Sequence, residues 1–148
     1  MFDALGVCRF QWIELDIDLN FYARWYSAAT GVETTLDELL KRSEGVYNLT
    51  RAFSVREGLT RQEDIPPPRT FDDPVRTGPT KGNVLTRDAY NKLLDLYYSK
   101  RGWDLKTGIP TRQRLEELGL KDVADELGKL GKLPGAPAAA PPPAPPEE

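Results

Sequence analysis

A helix-capping motif followed by a long apolar repeat is the feature that most constrains how this chain can fold. In the segment Thr35-Leu36-Asp37-Glu38, the threonine side chain can accept a hydrogen bond from the Glu38 amide, while the Glu38 carboxylate accepts one from the Thr35 amide. Apolar residues then recur at three- and four-residue steps as far as Gly58: Leu36, Leu39, Leu40, Val46, Tyr47, Leu49, Ala52 and Phe53. This spacing predicts one long helix whose aromatic stripe faces the core.

Shorter helices are predicted on both sides of it. Their candidate N-terminal caps are Asp18 or Asn20, Thr86, Thr111 and Asp122. Gly31 and Gly102 follow two of these segments and are typical helix ends. Between residues 9 and 19, apolar and acidic residues alternate as they would in a strand, but no partner strand follows in the sequence. We therefore favour a loop that leads into the first of these helices.

The sequence as a whole predicts an all-α domain over residues 1–133, with about five helices around one core. A long loop rich in proline and glycine separates the second helix from the third, over residues 59–85. Its charged residues are Arg61, Glu63, Asp64, Arg69, Asp72 and Asp73, among others. We expect them to form ion pairs rather than a catalytic acid/base pair. Residues 134–148 are a Pro/Ala-rich segment predicted to be a disordered tail.

Composition excludes several kinds of function. A net charge of −3 disfavours nucleic acid as a partner, and no apolar run approaches the ~20 residues of a membrane-spanning helix. A single cysteine provides no disulfide framework and favours the cytoplasm. The chain has no histidine, and therefore lacks the commonest general base and the commonest zinc ligand. We expect no catalytic residue in it.

The candidate site is the loop Asp3-Ala4-Leu5-Gly6-Val7-Cys8 near the N-terminus. Cys8 is the only thiol, and it lies two residues after a glycine and close to a carboxylate. Most free cysteines are buried and pack as small hydrophobic side chains. The motif alone therefore does not decide whether Cys8 packs in the core or binds a metal. One thiolate cannot hold a four-iron cluster, which requires about four. Any such cluster needs further cysteines from elsewhere.

An ordered series of segments resembles a known family. Along the chain they read DALGVC, TGVETTLDELL, YNLTRAFSVREG, TRQEDIPPPR, YYSKRGWD and GIPTRQRLEELGL. Together they look like the C-terminal domain of the tungsten-containing aldehyde ferredoxin oxidoreductase family, up to about Leu130. The resemblance implies an enzyme that binds a tungsten bis-pterin cofactor, or its molybdenum counterpart, and a 4Fe-4S cluster. It also implies ferredoxin as electron acceptor.

The resemblance assigns roles to residues of the loop. Asp3 would contact a pterin and Cys8 would be the last cluster ligand, with Gly6, Val7 and Arg9 lining the same site. The family's remaining cluster cysteines have no counterpart here, so upstream domains or a separate subunit would have to supply them. We therefore expect a terminal domain, a separately encoded piece or a remnant, without cofactor or activity in isolation. The alternative is a non-catalytic helical interaction module that binds a protein partner.

Overall fold

The computed structural model describes residues 1–135, and the predicted tail lies outside this range from residue 136 onward. Its helices are α1 (Phe2–Leu5), α2 (Phe10–Leu15), α3 (Leu19–Thr30), α4 (Leu36–Arg56), α5 (Arg69–Asp72), α6 (Arg87–Arg101), α7 (Arg112–Glu117) and α8 (Lys121–Lys129). A 3₁₀ turn spans Arg61–Asp64. Residues 1–135 contain no strand, only an isolated bridge between Trp103 and Pro110. The prediction of an all-α fold is confirmed.

The long central helix α4 begins at the predicted capping box. The Thr35 amide donates to Glu38 Oε2 over 2.8 Å, and the Glu38 amide donates to Thr35 Oγ1 over 3.3 Å. Its buried side is nevertheless not the aromatic stripe. Leu39, Ala52 and Val55 are buried together with the polar residues Ser43, Asn48 and Arg51. The predicted core residues Leu40, Val46, Tyr47, Leu49 and Phe53 are exposed. The prediction that this stripe faces the core is therefore wrong.

The other predicted helices are present, with some differences at their ends. The Asp18 carboxylate caps α3 by accepting from the Asn20 amide over 2.8 Å, and Thr86 and Thr111 cap α6 and α7. The last helix begins at Lys121 without a side-chain cap, so Asp122 does not cap it. Residues 10–15 form the short helix α2 where a loop was predicted. The long loop contains the 3₁₀ turn and α5.

Buried apolar residues of the described range form two clusters, where the sequence predicted one core. The first joins α4, α7 and α8 through Ala52, Val55, Leu115, Ala124 and Leu127. The second joins α3 and α4 through Tyr22, Ala23 and Leu39, and α1 packs on it through Met1, Phe2 and Leu5. The N-terminal loop is thus attached to the second cluster. None of the helices within residues 1–135 has the length and apolar character to cross a membrane.

Candidate functional site

The N-terminal loop is a single helical turn closed by a glycine. Helix α1 ends at Gly6, whose φ of 67° lies in the left-handed region. The Gly6 amide donates to the Asp3 carbonyl over 3.2 Å, and the Val7 amide donates to the Phe2 carbonyl over 3.1 Å. This pattern is a Schellman motif, which favours glycine at the left-handed position. A Cβ at Gly6 would meet no atom of residues 1–135 within 4 Å, so this part of the structure leaves the backbone open to an approaching group.

The structure places all of the predicted site residues on this loop, with their side chains at the surface. Asp3, Val7, Cys8 and Arg9 are exposed. Cys8 Sγ accepts a hydrogen bond from the Phe10 amide over 3.4 Å, at the start of α2. Cys8 is therefore not the buried small hydrophobe that most free cysteines are. Within residues 1–135, no group of three or more acidic, cysteine or histidine residues is arranged to hold a metal ion. The loop can offer one thiolate and one carboxylate.

Aromatic packing holds the loop in place. The Phe2 ring stacks on Trp12 with 5.6 Å between ring centroids, and it meets Tyr22 edge-on at 5.2 Å. Tyr22 is buried on α3, so Phe2 connects the loop to the second apolar cluster. Aromatic pairs in these geometries contribute about 0.5–1.5 kcal/mol beyond the area they bury. The positions of Asp3 and Cys8 depend on this anchor.

A polar network that the sequence analysis missed lies at the middle of α4. The Arg51 guanidinium, only 9% exposed, donates to both carboxylate oxygens of Asp64. Its Nε donates to the Gly108 carbonyl over 2.9 Å, and its Cζ lies 4.7 Å from the Trp103 ring centroid. One arginine thus joins α4 to the 3₁₀ turn and to the turn that follows α6. These residues lie in four of the segments that resemble the family, but the local spacing within each segment does not indicate the contacts.

Asp64 receives two further hydrogen bonds, one on its carboxylate and one on its backbone carbonyl. The Tyr98 hydroxyl donates to Asp64 Oδ2, and the Tyr90 hydroxyl donates to the Asp64 carbonyl over 2.6 Å. Burial opposes the charged form, but the hydrogen bonds from Arg51 and Tyr98 outweigh it and lower the pKa of Asp64. Burial, together with the hydrogen bond to Asp64, raises the pKa of the Tyr98 phenol. Asp64 is therefore held as a carboxylate, and its ion pair with Arg51 agrees with the ion pairs expected for the charged loop.

A second polar cluster joins α4 to α6 and α7. Glu44 forms ion pairs with Arg101 and Arg114, and the Arg101 guanidinium lies over the rings of Tyr47 and Tyr97. The two tyrosine hydroxyls are 2.6 Å apart. Burial and this hydrogen bond raise the pKa of Tyr97 to about 12, so its phenol is neutral at physiological pH. This cluster therefore joins the three helices through ion pairs and cation–π contacts.

The comparisons with known proteins agree with one another. The family model for domains 2 and 3 of aldehyde ferredoxin oxidoreductase matches residues 1–120. The tungsten-containing aldehyde ferredoxin oxidoreductase of Pyrococcus horikoshii is 36% identical over 121 residues, which cover 81% of this chain and 19% of that protein. A Pyrococcus furiosus relative, described as the WOR-like subunit of an aliphatic sulfonate oxidoreductase, is 36% identical over 72 residues, or 49% of this chain and 11% of that protein.

A solved structure supports the same assignment. The active-site complex BamBC of benzoyl coenzyme A reductase, in complex with 1,5-dienoyl-CoA, contains a chain that matches with a TM-score of 0.67 and 31% identity. The match covers 80% of this chain and 16% of that one. The fold and the matches define a helical domain of the kind found within these larger oxidoreductases. The chain belongs to the aldehyde ferredoxin oxidoreductase family, and it spans about a fifth of the length of the curated relatives it matches.

Proposed function

We propose that this chain is the C-terminal part of an aldehyde:ferredoxin oxidoreductase, which oxidises an aldehyde to a carboxylic acid and passes the electrons to ferredoxin. In such an enzyme the chain would supply one pterin contact and one iron–sulfur ligand. The observation that carries the proposal is that the family match begins at residue 1 and includes the loop on which Asp3 and Cys8 are exposed. A cytoplasmic location, expected from the single cysteine, belongs to the same proposal.

The loop residues fit a pterin contact. A carboxylate such as that of Asp3 accepts hydrogen bonds from amino and ring N–H groups, and these bonds are stronger because the acceptor is charged. Gly6 leaves space beside the backbone for a bulky ring system. Val7 and Arg9 are exposed on the same loop, so both side chains are available to line the site. A tungsten or molybdenum pterin, when bound, would supply the redox chemistry of aldehyde oxidation.

Cys8 fits a cluster ligand, because its side chain is exposed and its thiolate is the form that iron binds. A 4Fe-4S cluster requires about four such ligands, so upstream domains or another subunit would provide the others. The Phe10 amide donates a hydrogen bond to Cys8 Sγ. Hydrogen bonds of this kind to a ligand sulfur tune the reduction potential of an iron–sulfur cluster. A single loop would thereby connect the pterin to the electron-transfer centre.

The isolated chain is expected to be catalytically silent. One exposed thiolate cannot retain a cluster, and one carboxylate cannot retain a pterin cofactor. Metal analysis of the purified chain should therefore find neither iron nor tungsten above background. Aldehyde-dependent dye reduction should equal that of a blank without protein. Turnover together with bound metal would contradict this prediction.

Cys8→Ser is expected to change the cluster in the assembled protein. We would coexpress the chain with the upstream domains of a relative that carry the remaining cluster cysteines, and record the visible absorbance of the purified complex. Serine keeps the size of the side chain but is a harder, poorer ligand for iron. The absorbance per complex should fall to about one quarter or less of the unsubstituted value, because a four-iron cluster with three thiolates is readily lost.

Two further variants complete this experiment. Asp3→Asn should reduce the pterin content while leaving the cluster absorbance in place, because an amide presents an acceptor without charge. Asp37→Asn is the matched control, since it is also an exposed aspartate in the first turn of a helix but lies on α4. It should change neither quantity. An unchanged spectrum in Cys8→Ser would remove Cys8 from the ligand set.

The alternative of a non-catalytic interaction module is not favoured by the family assignment. The interaction module would become the preferred interpretation if the coexpressed complex, with all of the cluster cysteines present, assembled without metal.

A further inference from the structure

A cavity with a positively charged rim lies away from the N-terminal loop. It has a volume of about 530 Å³ and lies between the 3₁₀ turn, α5, α6 and the turn after α6. Among residues 1–135, the cationic residues Arg61, Arg87 and Lys106 line it, and no aspartate or glutamate does. Its size falls within the ~300–1,000 Å³ typical of small-molecule sites. The charge of the lining favours an anion.

The cations differ in how far other residues already neutralise them. Arg61 donates hydrogen bonds to Asp95 and to the Leu105 carbonyl, so its charge is already paired within the fold. Arg87 has a single distant carboxylate, with 3.9 Å between its Nη2 and Asp72 Oδ1, and both side chains are more than half exposed. The Lys106 ammonium has no carboxylate within 4 Å among residues 1–135. Lys106 is therefore available to a ligand, and Arg87 is engaged only by one long, solvent-exposed ion pair that a ligand can replace.

The walls of the cavity are fixed before any ligand arrives. Tyr90 is held by its hydrogen bond to the Asp64 carbonyl, and the buried Phe71 ring meets it edge-on at 5.7 Å. Arg87 Cζ lies 4.5 Å from the Phe71 ring centroid, so the cation lies directly beside an apolar wall. In the turn after α6, Asp104 Oδ1 accepts hydrogen bonds from the backbone amides of Lys106 and Thr107, and these bonds fix the turn. Preorganised walls lower the entropic cost of binding.

We propose that this cavity binds a small organic monocarboxylate with an apolar body, its carboxylate between Lys106 and Arg87 and its body against Phe71, Tyr90 and Ile109. The available cations match one carboxylate, and the aromatic and aliphatic wall matches a hydrocarbon body rather than a bare inorganic anion. The site uses no residue of the N-terminal loop. It is therefore independent of the proposed pterin and cluster contacts.

Phenylacetate titrated into the ¹⁵N-labelled chain tests this proposal. We expect saturable shifts of the Lys106, Thr107 and Asn91 amides with a Kd on the order of 1 mM. The neutral analogue 2-phenylethanol should bind at least about tenfold more weakly, since it lacks the charge-assisted bonds. Inorganic phosphate should also bind more weakly, because it has no apolar body. Equal binding of either compound, or no saturable binding of phenylacetate, would overturn the assignment.

Charge variants locate the site. The double variant Lys106→Gln with Arg87→Gln should weaken phenylacetate binding about tenfold or more. The matched control is Lys100→Gln with Lys129→Gln, which removes the same charge from exposed residues outside the cavity. It should change Kd by less than about twofold, the effect of net charge alone. Equal weakening by the two double variants would show nonspecific electrostatic attraction and contradict the proposal. Melting curves of both variants establish that the fold is retained.

Discussion

Replacing Arg51 by methionine is expected to destabilise the isolated chain by about 3 kcal/mol. The substitution leaves the Asp64 carboxylate without its bidentate partner and leaves the Gly108 carbonyl without a donor. Breaking a buried ion pair from one side costs ~3–5 kcal/mol, and the lower end applies because Asp64 keeps 23% of its side chain exposed. The thermal midpoint should fall on the order of 10 °C, measured by circular dichroism at pH 7.

The matched control is Arg56→Met on the same helix. Arg56 is 42% exposed and pairs with Glu57 and Glu126, which are more exposed still. Exposed ion pairs contribute little, so the midpoint should hardly move. Equal losses in the two variants would show that the ion pair with Asp64 has no special role.

The loss of stability in the Arg51→Met variant should also depend on pH. The pKa of Asp64 is lowered in the folded chain. The ionised Asp64 therefore contributes to the free energy of unfolding above its unfolded-state pKa of about 3.9, and this contribution is lost as the pH falls through its folded-state pKa. The difference in unfolding free energy between the unsubstituted chain and Arg51→Met should therefore be complete above about pH 5 and narrow below about pH 4. A difference that stays constant to lower pH would contradict the assigned role of Asp64.

Gly108→Ala is expected to disrupt the same network from its other side, at a cost of about 2–4 kcal/mol. A Cβ on Gly108 would lie 2.6 Å from the Tyr98 hydroxyl oxygen and 2.7 Å from Arg51 Nη2. Both of those groups are held by Asp64, so neither can move without losing a hydrogen bond. The φ of 68° adds a backbone cost of about 1 kcal/mol. Chemical denaturation of the isolated chain measures the total.

Gly119→Ala separates the two contributions. Gly119 has a similar φ of 77°, but a Cβ there would meet no atom within 4 Å in the part of the chain that the structure describes. Its substitution should cost only the backbone part, about 1 kcal/mol. If Gly108→Ala loses no more unfolding free energy than Gly119→Ala, then the network accommodates the extra methyl group. The close packing around Gly108 would then not contribute to stability.

The helices of this domain could be predicted because their signals are local. The capping box at Thr35 and Glu38 and the glycine after Arg101 act within one helical turn, and the structure contains both. Which side of α4 faces inward could not be predicted in this way. Arg51 is buried because Asp64 and Gly108, which lie 13 and 57 residues further along the chain, surround it. Apolar periodicity contains no information about such partners, and it assigned Tyr47 and Phe53 to the core.

The sequence predicted which residues form the candidate site, but it did not predict their three-dimensional arrangement. The sequence resemblance selected the loop from Asp3 to Arg9, which lies within the residues that the family model matches. The roles of Asp3 and Cys8 remain predictions until the complex is assembled. The cationic cavity was missed because Arg87 and Lys106 are 19 positions apart and only the fold brings them to one rim. Phe71 of α5, which also lines the cavity, lies within a segment that was predicted to be a loop.

The placement of the three tryptophans gives the chain two separate optical reporters. Trp103 is 5% exposed and lies against Arg51, so its emission should be blue-shifted and should follow the integrity of the buried network. Trp12 and Trp25 are 40% and 49% exposed and contact Phe2 and Tyr22, so their red-shifted emission follows the N-terminal loop. Fluorescence at two wavelengths can therefore distinguish loosening of the loop from unfolding of the domain.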